Sequence, residues 1–368
     1  MGECINLRRG GKAKVVPILN TNYPADVSVE YGGSASFKVE IVTHGYPEEY
    51  TYQWYLDGSA VSGATSQTFT VNANADSVGT HPIRCDVTNK AGTVQSRTAT
   101  FTVGTALPNY TFSGTHYFVD DGGGNWRILL KSTGKLKFTN RGTGVNGIDV
   151  FCLGGGAGGG GGGWNYSGGA GGGGGYTTTK TNVSVSNNTE YDIVIGAGGG
   201  GGTGGSNSTS NAGNGGASSA FGVSANGGNA GVISGYYVHG GAGGSGGGAG
   251  GYSNGTGGKG GYNGASGANA SNDKNIGGTG SGNPTGEFGG TVNAARGAGG
   301  GGGAGASSSG TAGTAGAGGS DWAGAGSATS TGGSAQANSG CGGGGGGCKS
   351  KGNGGSGGSG LIVIRNKR

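Results

Sequence analysis

The chain has 368 residues, of which 103 are Gly, 31% are hydrophobic and only 11% are charged. Its net charge of +5 gathers at the two ends, in Arg8, Arg9, Lys12 and Lys14 and again in Arg365, Lys367 and Arg368; it does not form the basic stripe that tracks a nucleic acid. No apolar run is long enough to cross a bilayer, no apolar signal core follows Met1, and 5 scattered Cys argue against a disulfide framework.

Residues 1–18 are basic and patternless until Val15-Val16-Pro17-Ile18, and are read as a docking segment. Residues 19–104 have the rhythm of a β-sandwich. Short alternating stretches recur at 27–29, 36–41, 52–56, 67–71, 84–88 and 98–103. Turn signals separate them at Gly32-Gly33, Asp57-Gly58, Ser62-Gly63 and Ala91-Gly92. Residues 105–153 read as a bridge. Trp126 to Lys131 and Lys135 to Thr139 flank Ser132-Thr133-Gly134 and predict a β-hairpin, and Ile148-Asp149-Val150-Phe151-Cys152-Leu153 predicts a further strand.

From Gly154 the chain becomes a glycine tract, with uninterrupted runs at 158–163, 171–175, 198–202, 299–303 and 342–347. Glycine/serine segments of this kind normally stay flexible, because ordering glycine is entropically expensive. Strand-like pieces at 182–185 and 191–195, and an apolar strand at 361–365 that ends the tract, oppose that reading. The ordered alternative is a bundle of polyglycine II helices, with three residues per turn, a rise of about 3.1 Å and no internal hydrogen bonds. Every backbone N–H and C=O must then find a neighbouring helix, and only glycine lets backbones approach so closely on all sides. The strands at 148–153 and 361–365 enter and leave the tract, and are expected side by side. The predicted fold class is all-β: a sandwich at 19–104, a small sheet at 105–153 and a polyglycine II domain at 154–368 closed by strand 361–365, without substantial α-helix.

Catalytic chemistry is hard to find. Residues 342–350 approach a phosphate-binding loop, but Cys348 stands before Lys349 where glycine is needed. The tract carries only Asp192, Asp273 and Asp321, too few for calcium-binding repeats. His44, His81, His116 and His239 are far apart in sequence, and Cys341 and Cys348 are read as free packed thiols over a pair or half a zinc site. The chain is therefore expected to be no enzyme and to hold no metal or cofactor. What remains are large residues among the glycines. Tyr176 and Tyr252 lie beside runs and suit wedges, whereas Trp164-Asn165-Tyr166, Tyr236-Tyr237 and Asp321-Trp322 lie in polar segments and suit exposed loop tips. Rings with Asn neighbours fit recognition of sugars or protein surfaces.

Two resemblances bear on function. Tyr52-Gln53-Trp54-Tyr55-Leu56-Asp57-Gly58, Gly63 to Thr68 and Cys85-Asp86-Val87-Thr88-Asn89-Lys90-Ala91-Gly92 resemble a bacterial or phage immunoglobulin-like domain, which implies that Trp54 is buried. Val39 stands where the first cysteine of that pattern would lie and Ile83 where its corner tyrosine would, so the resemblance implies no disulfide at Cys85. From Asp120 onward, Trp126-Arg127-Ile128, Tyr191 to Gly200 and Gly360-Leu361-Ile362-Val363-Ile364-Arg365 resemble the glycine-rich domains of phage and prophage tail proteins. That resemblance implies a tail-associated adhesin. It would be made in the host cytoplasm without a signal peptide and carried on the outside of the particle. Its N-terminal segment and sandwich would join other virion proteins, and its loops would meet a bacterial surface polysaccharide or protein, with neither nucleic-acid binding nor membrane insertion. The alternatives are a decoration or spacer subunit of the virion and a bacterial cell-surface adhesin.

Overall fold

Alternating apolar and polar residues dictate extended strands along the first hundred residues, and in the computed structural model strands are what they form. The structure describes residues 12–30, 32–73, 78–104, 107–122, 124–142, 145, 147–163, 167–205, 212–234, 237–251, 265–270, 276–281, 287–289, 296–305 and 312–366. The chain divides into two compact units, Met1–Leu107 with Gly142–Gly144 and Pro108–Arg141 with Val145–Arg368. Among the described residues the fold is all-β; its one helical element is the short 3-10 turn Glu287–Gly289.

In the first unit, Val27–Glu30, Ala99–Gly104, Gly79–Asn89, Thr51–Leu56 and Ser59–Ala60 form one sheet in that order, and Ser34–Lys38 pairs with Thr68–Asn72. Their inward residues build a side-chain core of Phe37, Val39, Trp54, Ile83, Cys85, Val87 and Phe101. Trp54 is fully buried, stacks on Phe69 at 5.8 Å and donates its indole N–H to Ser66 O at 2.9 Å. Cys85, its direct cross-strand partner, is a free thiol. Residues 1–11 of the expected docking segment lie outside the described residues. Val15 to Ile18, expected as part of that segment, is knitted into the unit: Val15 bridges Tyr46, and Ile18 with Leu19 pairs with Ile41–Thr43.

The second unit starts as a sandwich of two five-stranded sheets. One has the order Asn109–Phe112, Gly134–Asn140, Glu190–Val194, Ser218–Ala220, Val223–Ala225; the other has His116–Gly122, Asn125–Leu130, Leu361–Asn366, Ile148–Leu153, Thr177–Val183. The predicted hairpin of 126–131 with 135–139 is corrected here. Asn125–Leu130 pairs with His116–Gly122 and Leu361–Asn366, whereas Gly134–Asn140 pairs with Asn109–Phe112 and Glu190–Val194. The short link at 131–133 crosses between sheets instead of reversing within one. The physical reason is the core: Trp126, Ile128 and Leu130 on one strand, and Leu136 and Phe138 on the other, face the same interior from opposite sides. The expected adjacency of 148–153 and 361–365 holds over its whole length, from Ile148↔Asn366 to Leu153↔Leu361.

Beyond Leu153 the side-chain core gives way to a backbone core. Residues 154–163 donate N–H bonds in strict rotation. Gly154, Ala157, Gly160 and Gly163 reach the segment 167–176; Gly155 and Gly158 reach 212–217; Gly156, Gly159 and Gly162 reach 352–360. These bonds are 2.7–3.0 Å long. The carbonyls of the same segment accept from 199, 202 and 205, from 343 and 346, and from 228. A three-residue return with no internal bond is the signature of polyglycine II, and here the segment is surrounded on every side. A Cβ on Gly156 would collide with Cys341 O, and one on Gly169 with Gly160 O. The whole of 154–163 is buried; nine of its ten N–H groups bond neighbouring segments, so burial does not strip them of partners.

Candidate functional site: the two ends of the glycine lattice

The lattice has polarity because its segments start or end on the sandwich. From Ile148–Leu153 the chain runs outward through 154–163, and it returns through 167–176 into Thr177–Val183. It leaves again after Glu190–Val194 through 196–205 and returns through 212–217 to Ser218–Ala220. The last return, 352–360, runs antiparallel to 154–163 and feeds the closing strand. Each connection therefore lies either at the sheet end or at the far end.

Outer segments show how side chains are admitted. In 196–205, Gly196, Gly199 and Gly202 are buried, while Ala197, Gly200 and Thr203 face solvent. In 352–360 the solvent-facing row is Asn353, Ser356 and Ser359, the last half-buried, and in 226–231 it starts with Asn226 and Asn229. A helix of three residues per turn places every third residue on one row, so one row in three carries side chains and the other two stay small enough to pack.

At the far end, Val232–Ser234 pairs with Tyr237–His239 as a hairpin. Val238 is buried and its carbonyl accepts from Gly250 N at 3.1 Å, level with Gly168, whose N–H reaches Gly251 O. Tyr237 is 46% exposed, with its ring 6.1 Å from that of His239. The turn at 348–351 also lies here, since Gly162 N bonds Gly352 O; it exposes Lys349 and Lys351. A third tip, Thr329-Ser330, sits beside Gly347, whose N–H reaches Ser330 O at 2.9 Å. Trp164, Asn165, Tyr166 and Tyr236 lie outside the described residues; Gly163 N bonds Ser167 O across the first three of them.

Asp321 and Trp322 are at the other end. Asp321 is exposed, but Trp322 is half-buried, its ring 5.5 Å from the Arg296 guanidinium and its carbonyl bonded to Gln336 N at 3.0 Å. Arg296 pairs with Glu287 at 3.0 Å and donates to Asn338 O at 3.1 Å; Glu287 also faces Arg127 at 3.7 Å. Burial pulls the Arg296 guanidinium below its ordinary pKa, opposed by the Glu287 carboxylate. Asn338 donates to Lys131 O and Gly360 O at 2.9 and 3.0 Å, tying this end to the sheet. The structure thus separates Tyr237 from Asp321-Trp322 by the length of the lattice. Sequence reasoning also missed the far-end Lys349 and Lys351. Their only signal was the interruption of two glycine segments by Cys348-Lys349-Ser350-Lys351.

Cys85, Cys152, Cys341 and Cys348 are buried free thiols, and burial pushes Cys85 and Cys152 up to about 12. Cys341 contacts Ser339 O at 3.6 Å and Ser320 Oγ at 3.9 Å. Among the described residues no group of three His, Cys, Asp or Glu side chains is placed to hold a metal ion, and no helix is long and apolar enough to cross a membrane. A family model described as a glycine-rich domain matches residues 131–367, which spans Gly134–Asn140, the lattice and the closing strand. No curated protein matches the chain.

Proposed function

The chain belongs to the glycine-rich domain family, and on that footing we propose that it is a tail-associated adhesin of a phage or phage-like particle. In this reading the residues 1–18 and the first unit attach to other virion proteins. The lattice holds its far-end connections toward a polysaccharide or protein on a bacterial surface. The chain binds and does not catalyse, takes no cofactor, and works outside the cell on the assembled particle. One observation carries the reading: a body held by backbone hydrogen bonds on every side of 154–163 fixes the ends of its far connections, so the tips can change without unfolding what bears them. The exposed Tyr237 and the pair Lys349 and Lys351 supply an amphipathic ring and cationic donors suited to such a surface.

The purified chain should bind intact cells of the host strain and block adsorption of the particle. Tyr237→Ala with Lys351→Ala should weaken both effects while leaving the melting temperature unchanged. Binding to the particle with no affinity for cells would replace the adhesin by a decoration or spacer subunit.

A further inference from the structure

The first unit gathers its exposed apolar residues in one place. Of the six large hydrophobic side chains it exposes among the described residues, five are Val15, Val16, Ile18, Val42 and Tyr46. All five lie on one two-stranded ribbon, where Val15 bridges Tyr46 and Ile18–Leu19 pairs with Ile41–Thr43. Leu19 and Ile41 pack against the core, so the alternation of a strand turns Ile18 and Val42 outward, and they are 59% and 62% exposed. Single exposed apolar residues are ordinary, but a group of five marks a contact surface.

The ribbon also has a free edge. It gains no third strand among the described residues. Val15 turns its N–H and C=O to Tyr46, at 3.0 and 2.8 Å. In extended backbone the residues on either side turn theirs the other way, and no partner among the described residues is found for the N–H or C=O of Lys14 or Val16. Unpaired backbone beside apolar side chains is a template for an added strand. Asn89 Nδ2 donates to Val15 O at 2.8 Å and Pro47 O at 3.2 Å, which holds this part of the ribbon at the Asn89 end of the strand Gly79–Asn89. Val103 pairs with Gly79 at the opposite end, where the chain continues toward Pro108. Charge selects the occupant. Glu48 and Glu49 are answered by His44 at 3.8 Å and Lys90 at 2.9 Å. Lys12 and Lys14 are exposed and meet no carboxylate among the described residues; Lys12 lies 5.5 Å from the Tyr46 ring. A second copy of this face would bring the same lysines, and residues 1–11 bring Arg8 and Arg9 against Glu3, so like charge disfavours both. We propose that this edge receives an extended segment of another chain, apolar at alternate positions and then acidic, laid as a strand beside Lys14 to Ile18. It gives a face and a chemistry to the attachment assigned above to the first unit, and rests on that reading.

The test is a titration of the full ¹⁵N-labelled chain with the peptide Ile-Thr-Val-Thr-Glu-Thr-Glu, blocked at both ends, and with its counterpart carrying Lys in place of Glu. The acidic peptide should shift the amides of Lys14, Val16, Ile18 and Val42 saturably, and less tightly as salt rises; the basic one should not. Val42→Glu should weaken the acidic peptide about tenfold and weaken binding to the particle likewise, with the melting temperature and the binding of host cells unchanged. The proposal is overturned if the acidic peptide leaves those amides unmoved, if the basic peptide acts as well, or if Val42→Glu holds the peptide or the particle as the parent does. Shifts of the same amides with protein concentration alone would assign the edge to a second copy, and nuclear Overhauser contacts from residues 1–11 would assign it to the chain's own segment; either also overturns it. A parent chain that takes the acidic peptide but ignores the particle would support the edge and overturn the reading of the first unit as the virion attachment.

Discussion

The two units exclude water from their backbones in opposite ways. In the first, strands satisfy their N–H and C=O groups within sheets, and large side chains such as Trp54, Phe37 and Phe101 fill the space between. In the lattice there is almost no side chain to bury, and the backbone itself fills the space, the N–H groups of 154–160, 162 and 163 bonding three neighbours in turn. The first core tolerates a change of one apolar shape for another. The second takes larger side chains on the row that faces outward and, inside, little more than an occasional small residue such as Ala157 or Ala170. Rigidity without a hydrophobic core is therefore available to a chain like this, at the cost of a sequence that must be glycine at two positions in three wherever a helix meets its neighbours.

That contrast can be broken or sharpened by substitution. The largest loss should come from Trp54→Ala, about 3–5 kcal/mol, read as a fall in the denaturant midpoint of the first unit with the lattice amides unaffected. Alkaline pH should be felt in both units. The Cys85 and Cys152 thiols sit at about 12 when folded against an ordinary 9.0. Their raised values contribute stability that is fully present below pH 9 and is lost as pH climbs toward 12. A denaturant series across that window should show the decline, and a thiol reagent at neutral pH should label neither residue until the protein unfolds. Next in size is Gly199→Ala, whose methyl would collide with Gly213 O; we expect a cost of about 1–3 kcal/mol in thermal unfolding. The smallest effect should come one residue away. Gly200 has open space where its Cβ would be, so Gly200→Ala should be neutral or stabilise by about 0.4–1 kcal/mol through the unfolded chain. Equal effects at 199 and 200 would mean that the rows are not what governs packing.

Much of this was legible in the residues. The strands at 148–153 and 361–365 announced each other because both are apolar and both abut glycine, and they pair in full register. Trp54 was readable as buried through the resemblance of the stretch around it to an immunoglobulin-like domain. The false hairpin at 126–139 shows what local pattern leaves open. A short link can reverse a strand or carry it to the facing sheet, and the choice is made by partners at 109–122 and 361–366 that lie outside the window. The outward rows were also written in the sequence, as Asn353-Gly-Gly-Ser356-Gly-Gly-Ser359, but the spacing restarts at each connection and so shows no register over the whole tract. Asp321-Trp322 and Tyr237 looked alike as aromatic interruptions. Only the direction of each pass through the lattice separates them, and direction is a property of the assembled bundle.

The most direct measurement is amide hydrogen exchange along 154–163, 167–176 and 340–347. Glycine amides exchange fast in a free chain, and if each is bonded to a neighbouring helix they should be protected as strongly as the strands Ile148–Leu153 and Leu361–Asn366 that anchor them. Exchange of those amides at free-chain rates, with the strands still protected, would contradict a lattice held by its own backbone.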